Sequence, residues 1–361
     1  MTTPLRYGII GCGMMGQEHI RNIALLPDAE VVAVFEPDPC MQTAAKALAA
    51  TATFVDGVAE LLAIDALDVL LIASPNHLHV AQLDEIAARR PLPILVEKPL
   101  YTDPADACRI ETLKSSYPAP IWVAMEYRYM PPIAAFLAEA KAATGGIQML
   151  TIREHRFPFL EKVGDWNRFN RNTGGTLVEK CCHFFDLMRL VLNSEPIRIM
   201  ASAGQAVNHL NESYRGETPD IWDHGYVIAD FASGARAMLE LCMFAEGAMY
   251  QEEISAIGPE AKIEALVPGP TRFWPEDIPA PQPKLILSPR TQPRQERAIP
   301  VDSTLLDAGD HNGSTFYQHR ALAAAIQNGT PPEVSLNDGA AAVRIGLAAQ
   351  QSAREGRTIL L

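Results

Sequence analysis

The sequence predicts an α/β Rossmann domain followed by an α+β domain built on a mainly antiparallel open sheet. Three observations lead there. Over the first third, short and almost continuously apolar strand-like runs alternate with helical stretches, the pattern of a parallel sheet covered on both faces. A glycine loop directly follows the first of these runs. Beyond Tyr127 the strand-like runs become longer and more polar, as in an antiparallel sheet with one open face. The division falls at residues 1–126 and 127–361, and a chain of 361 residues suits about two domains of ordinary size.

The elements follow in order. Arg6–Ile10 is an apolar run ending in glycines, with a helical stretch to about Leu26. Glu30–Phe35 is β-branched and apolar, and Pro39–Ala50 is helical. Leu67–Ala73 and Pro93–Val96 repeat the strand signal around a helical run at His77–Arg89. Ala105–Ser115 reads as helix and Ile121–Met125 as strand. In the second part, strands are expected at Ile147–His155, Ile197–Gln205, Gly225–Phe231, Ala235–Leu241, Gln251–Ile257 and Lys262–Leu266, with turns at Ser233-Gly234 and Gly258-Pro259. Thr173–Leu192 is the clearest helix there. Pro268–Pro300 reads as a proline-rich surface loop, and helical runs near Thr315–Asn328 and Asp338–Glu355 close the chain. The last helix is expected to pack back on the first domain.

Composition narrows the function. Forty-three acidic residues against thirty basic give a net charge of −13, which argues against a nucleic-acid binder and against an anionic membrane surface. Met1–Pro4 runs into a strand without the charged and apolar regions of a signal peptide, and no uncharged apolar run is long enough to span a membrane. The six cysteines form no CxxC pair. Reduced thiols in a cytoplasmic protein are the expectation.

Gly11-Cys12-Gly13-Met14-Met15-Gly16 fits G-x-G-x-x-G between a strand and a helix. The glycines permit a tight turn and close approach of a pyrophosphate, and the helix N-terminus offers unpaired N–H groups to it. Glu36 ends the second strand, where its carboxylate can accept from both ribose hydroxyls of NAD and would repel the 2′-phosphate of NADP. NAD is therefore the expected cofactor; a plain tight turn beside a surface glutamate is the bland alternative. Ser74, Pro75, Asn76 and His79 end the Leu67–Ala73 strand where the sheet would face the cofactor. Glu97-Lys98-Pro99 ends the next, which aims Lys98 into the ligand crevice unless it is an ordinary solvated lysine.

Glu179 and His183 are four residues apart and share a helix face, with Asp186 three residues beyond. His183 is a candidate general base, because imidazole titrates nearest neutral pH. A core histidine, a metal site and a vicinal Cys181–Cys182 disulfide compete with that reading. No metal is expected: this helix carries no second His or Cys at ligand spacing.

Together these features resemble the Gfo/Idh/MocA oxidoreductases, relatives of glucose–fructose oxidoreductase and inositol 2-dehydrogenase. The resemblance runs through Tyr7–Gly16 with His19, Glu36-Pro37-Asp38, Ser74–His79, Glu97-Lys98-Pro99, Gly174–Leu187 and Asn337–Leu361. It implies that Lys98 and His183 act on substrate, with Glu179 where the family usually has Asp and Cys181 where it usually has Gly. It also implies that the Trp166–Arg168 stretch lies near the nicotinamide end of the cofactor and that the open sheet face makes a homodimer or homotetramer. His183 would then take the proton of a secondary hydroxyl as the carbon gives up hydride, Lys98 would stabilise the developing charge, and Glu179 would hold the ammonium or the sugar.

Thr151–Lys180 holds six basic residues (Arg153, Arg156, Lys162, Arg168, Arg171 and Lys180) against four acidic ones. Arg153, His155 and Asn167, with His311 near the final helices, join Lys98, Glu179 and His183 as candidate substrate contacts; a self-paired polar loop is the alternative. The expectation is an NAD-dependent dehydrogenase of a monosaccharide, cyclitol or sugar derivative, neutral or anionic. A lyase or glycosidase that uses NAD transiently and a non-catalytic cofactor-binding sensor are the competing functions.

Overall fold

The computed structural model of the chain describes residues 4–274 and 278–361. Its first sheet contains β1 (Leu5–Ile10), β2 (Ala29–Phe35), β3 (Thr53–Val55), β4 (Val69–Ile72), β5 (Ile94–Val96) and β6 (Ile121–Val123). The strands pair in the order β3-β2-β1-β4-β5-β6, all parallel. This is the dinucleotide-binding arrangement, with the order reversing between β1 and β4. Helices α1 (Met14–Ile23), α2 (Pro39–Leu48), α3 (Val58–Leu62), α4 (His79–Arg89) and α5 (Ala107–Ser116) connect the strands. β4, β5 and β6 are buried throughout, as their unbroken apolar runs require. β3 is absent from the sequence reading; three residues are too few to display a period.

Helix α6 (Pro131–Thr144) leads into the second part. Its start and stop are conventional, prolines in the first turn and Gly145 at φ +69° after the last, although the sequence reading left this stretch unassigned. β7 (Met149–His155) is followed by α7 (Asn170–Thr173), α8 (Thr176–Glu179) and α9 (Cys182–Leu192). The single helix expected over Thr173–Leu192 is thus broken. Gly174 and Gly175 sit at φ +77° and +98°, and a Cβ at Gly175 would lie 1.8 Å from Gln350 Nε2. β8 (Pro196–Gly204), β9 (His224–Phe231), β10 (Arg236–Cys242), β11 (Glu252–Ile257), β12 (Ala261–Val267), β13 (Lys284–Pro289), β14 (Gln295–Ala298), α10 (Ser303–Ala308), α11 (Ser314–Asn328), α12 (Leu336–Glu355) and β15 (Ile359–Leu360) complete the described elements.

The second sheet runs β14-β13-β12-β11-β7-β10-β9-β8-β15. Its pairs are antiparallel except β7–β10. The loop expected at Pro268–Pro300 contains β13 and β14, which extend this sheet; Pro275–Asp277 lie outside the described residues. Period-2 alternation separates the faces. β7 buries Leu150, Ile152 and Glu154, while Met149, Thr151, Arg153 and His155 point the other way.

Helix α12 reaches across to the first sheet. Val123 N–H at the β6 edge donates to Val334 O, and a Cβ at Gly339 would meet Val123 at 2.8 Å. At Gly346 a Cβ would lie 2.6 Å from Leu177 O, so α12 and α8 touch backbone to backbone. One apolar cluster runs from Leu5 to Ile359 through both sheets. Among the described residues no helix is long and apolar enough to cross a membrane, and none of the six cysteines is paired.

Candidate active site

The crevice opens where β1 and β4 part. Gly11 turns the chain at φ +91°, and a Cβ there would meet the Ser74 backbone nitrogen at 2.6 Å. Gly16 is packed on the Gly11 carbonyl, whereas a Cβ on Gly13 would meet nothing within 4 Å. That open space lies over the start of α1, whose N-cap is Gly13 with no side chain closing it. Glu36 is fixed by two backbone donors, Cys12 N–H and Asp38 N–H. Carboxylate oxygens keep further lone pairs for ribose hydroxyls. The residues therefore fit NAD: an unblocked helix terminus for the pyrophosphate and an oriented acid for the adenine ribose. Glu36→Gln is expected to weaken NAD binding about tenfold and to narrow the NAD-to-NADP affinity ratio, as read by calorimetry with both nucleotides.

On the other side of the crevice, Ser74 Oγ donates to Gln82, and Asn76 buries its Nδ2 without a partner. Glu97 accepts from Lys98 N–H and pairs with His19 Nε2 at 2.9 Å. His19 continues to His319 at 2.8 Å and His319 to the Tyr7 hydroxyl at 3.2 Å, a fully buried chain linking β1, α1, β5 and α11. Burial opposes ionisation of Glu97, but His19 and Lys98 outweigh it and hold its carboxyl below the usual range.

Lys98 follows, half-buried, with Nζ 3.4 Å from the Glu179 carbonyl. Burial opposes its charge; the acidic groups around it, Cys182, Glu97, Glu179 and Glu126, outweigh that and raise it above the ordinary lysine value. Burial pushes the Cys182 thiol up to about 12, so at neutral pH the carboxylates carry the effect. Glu179 is buried with Oε2 unpartnered. Burial raises its carboxyl, against the pull of Lys98, Lys162 and Arg156.

His183 lies within this group. Its ring stacks on Tyr127, centroids 4.1 Å apart and planes within 7°, and Nδ1 is buried without a partner. Burial, then the charges of Lys98 and Lys180, hold it well below the ordinary imidazole value. Its imidazole is therefore uncharged at neutral pH.

Behind Tyr127 is a charge network that the sequence reading did not find. Lys180 Nζ donates to the Tyr127 hydroxyl at 2.6 Å and lies 2.8 Å from Glu154 Oε1. Glu252 is the register partner of Glu154 on β11, so two carboxyls stand side by side on the buried face. Burial and then Glu154 push Glu252 up to about 7. A signal was present: Glu154 and Glu252 occupy the apolar phase of alternating strands, with Ile152 and Ile254.

A second cluster adjoins. His311 Nδ1 is 2.8 Å from Glu18 and 3.5 Å from Glu126, and Thr315 Oγ1 lies within hydrogen-bond distance of both acids, 3.0 and 2.6 Å. Burial works against the imidazolium, but Glu126 and Glu18 raise His311 to about 9. The three side chains offer ligand atoms within 4.8 Å of one another. The ion pair between the imidazolium and Glu18 accounts for that geometry.

Several predicted residues stand elsewhere. Arg153 and His155 lie on the opposite face of the sheet, bound to Glu240 and Glu253; strand alternation takes them away from Glu154 and the substrate candidates. Asn167 is fully buried and donates to Leu160 O. Arg168 is buried against Glu212 and Leu160 O, which makes it an anchor of its loop. His79 engages the carbonyls of Pro99 and Ser74 with its two ring nitrogens, tying the two crevice loops together rather than facing a ligand. Asp186 is taken by Arg128 and does not assist His183. Trp166 has its ring 6.2 Å from that of His77, which follows β4.

Known proteins match this chain over nearly its whole length. Residues 5–125 match the NAD-binding Rossmann fold of the Gfo/Idh/MocA oxidoreductase family, and residues 144–361 its C-terminal alpha/beta domain. The chain is 28% identical to the inositol 2-dehydrogenase of Rhizobium meliloti (strain 1021) over 240 residues, covering 65% of this chain and 68% of that one. It is 23% identical to the myo-inositol 2-dehydrogenase of Thermotoga maritima over 363 residues, covering 99% and 98%. An oxidoreductase from Agrobacterium radiobacter, solved in complex with NAD+, L-tartaric acid and magnesium, shares the fold with a TM-score of 0.79 at 18% identity, covering 99% and 98%. The matched domains, the strand order and the glycine cradle agree: the chain belongs to the Gfo/Idh/MocA oxidoreductases and carries that family's NAD-binding Rossmann domain.

Proposed function

We propose that the protein is an NAD-dependent dehydrogenase that oxidises a secondary hydroxyl of a monosaccharide, sugar derivative or cyclitol. One observation carries the reading. Lys98 Nζ is held at the carbonyl of Glu179, four residues before a buried His183 whose Nδ1 has no partner, so an ammonium and a neutral imidazole are brought to the end of β5 beside the nucleotide cradle. Bound NAD supplies the hydride acceptor. His183 takes the hydroxyl proton, Lys98 holds the oxygen as negative charge grows on it, and Glu179 orients the sugar and the ammonium. Tyr127 keeps the His183 ring in plane. A panel of polyols and aldoses scored by NADH absorbance, with NAD and NADP side by side, tests the reading; no turnover of any member removes it.

The pH profile follows from the electrostatics. A base must be deprotonated to act, and His183 is held well below the ordinary 6.5. kcat/KM is therefore expected to stay level as pH falls through 6.5, with its acidic limb lower. A limb at or above 6.5 would assign the base to another group.

A second reading, a lyase that oxidises and re-reduces its substrate, draws on His311. An imidazolium near a neutral histidine is the acid–base pair that elimination requires. In that case product forms while no NADH accumulates. The polar and apolar open sheet face, with Tyr226 and Ile228 exposed, suits assembly as a homodimer or homotetramer, which sedimentation would measure.

A further inference from the structure

Four arginines elsewhere show what a full match looks like. Arg6, Arg109, Arg128 and Arg189 each grip a carboxylate through two nitrogens, none more than 3.0 Å from its oxygen. Arg156 has no such match. Its Nε donates to Phe157 O at 3.2 Å, and Nη1 is 3.5 Å from a Glu154 oxygen that Lys180 already holds at 2.8 Å. Yet its side chain is only 13% exposed. Strand phase places it with Ile152 and Glu154, on the face toward His183. Lys162 is half-buried and has no hydrogen-bond or ion-pair partner among the described residues. Both cations act on the Glu179 carboxyl, as Lys98 does.

Two sheltered cations beside the proposed reacting centre, Lys162 without a partner among the described residues and Arg156 with only long polar contacts at 3.2 and 3.5 Å and the Phe157 ring beneath it, mark the place of an anion. The planar fork of Arg156 suits a carboxylate, and the pyrophosphate position is already served by the start of α1. We propose that Arg156 and Lys162 form a carboxylate subsite next to Lys98 and His183, so that the substrate is an acidic polyol, a sugar acid or cyclitol acid. The proposal rests on the dehydrogenase reading for the reaction but not for the binding.

The test is calorimetric titration of the NAD-loaded protein with matched acid and neutral pairs: gluconate with glucitol, glucuronate with glucose, quinate with inositol. The expected result is that an acid binds and does so at least about 10-fold more tightly than its neutral partner. Arg156→Gln and Lys162→Met should each weaken that acid by about 10- to 100-fold while the Kd for NAD holds. Lys162→Met breaks no hydrogen bond or ion pair among the described residues, so it remains informative if Arg156→Gln fails to fold. The proposal is overturned if no acid binds, if neutral members bind as tightly, or if the variants weaken NAD instead. NADH from neutral polyols without acid preference would leave the dehydrogenase reading intact and remove this one. Acid binding without NADH would do the reverse.

Discussion

Lys98→Ala is expected to bind NAD as the parent does and to lose about 10²–10³-fold in kcat/KM, on the scale of a missing oxyanion donor. The groups proposed to hold the adenine ribose and the pyrophosphate, Glu36 and the start of α1, belong to other elements than Lys98. What alanine removes is the positive charge held beside the Glu179 carbonyl. Lys180 does not replace it, being committed to Glu154 and Tyr127. Charge that appears on oxygen only in the transition state makes the loss fall on kcat more than on KM. NADH release under saturating substrate and calorimetric NAD titration separate the two effects. An unchanged kcat/KM would take Lys98 away from the reacting oxygen.

Lys180→Met is expected to destabilise the fold by about 3–5 kcal/mol, the loss typical of breaking one partner out of a buried ion pair. Glu154 is fully buried, and its Oε2 already lacks a partner. Without Lys180 its remaining close ion pair goes, and Glu252 stands beside it in register. Two carboxyls are then left in a dry layer with Arg156 Nη1 at 3.5 Å from Glu154 and the Gln251 amide on Glu252 as their partners. Adding Glu154→Gln to Lys180→Met should recover part of the loss, because an amide carries no charge to bury. Urea midpoints of the single and double variants measure this. A double variant whose loss equals the sum of the two singles would show that the residues do not act as a pair.

Much of the fold was legible for a physical reason. The parallel strands are short and buried on both faces, so each reads as an unbroken apolar run between helices, and the glycines must be glycines where backbone meets backbone. β13 and β14 are hidden by the prolines around them, and α6 by an alanine-rich run whose apolar residues mark no clear face. At the candidate site, Lys98, Glu179 and His183 stood out because each lies in a motif. Tyr127, Glu154, Lys180 and Glu252 come from separate segments and meet only when the second sheet folds onto α8 and α9. Arg153 and His155 were misplaced because counting charge along a strand ignores its pleat: neighbours one residue apart face opposite sides.

The buried thread from Tyr7 through His319 and His19 to Glu97 has a bearing on how the protein is made. Three of its members leave the ribosome early, and the fourth belongs to α11, near the end of synthesis. The β6 edge likewise waits for Val334, and the apolar faces of Leu100 and Val123 wait for α12. The nucleotide-binding third therefore cannot reach its finished packing as a nascent chain. Until the last fifth is translated, it presents an unsealed polar chain and an open strand edge to its surroundings, the condition in which incomplete chains meet chaperones or one another.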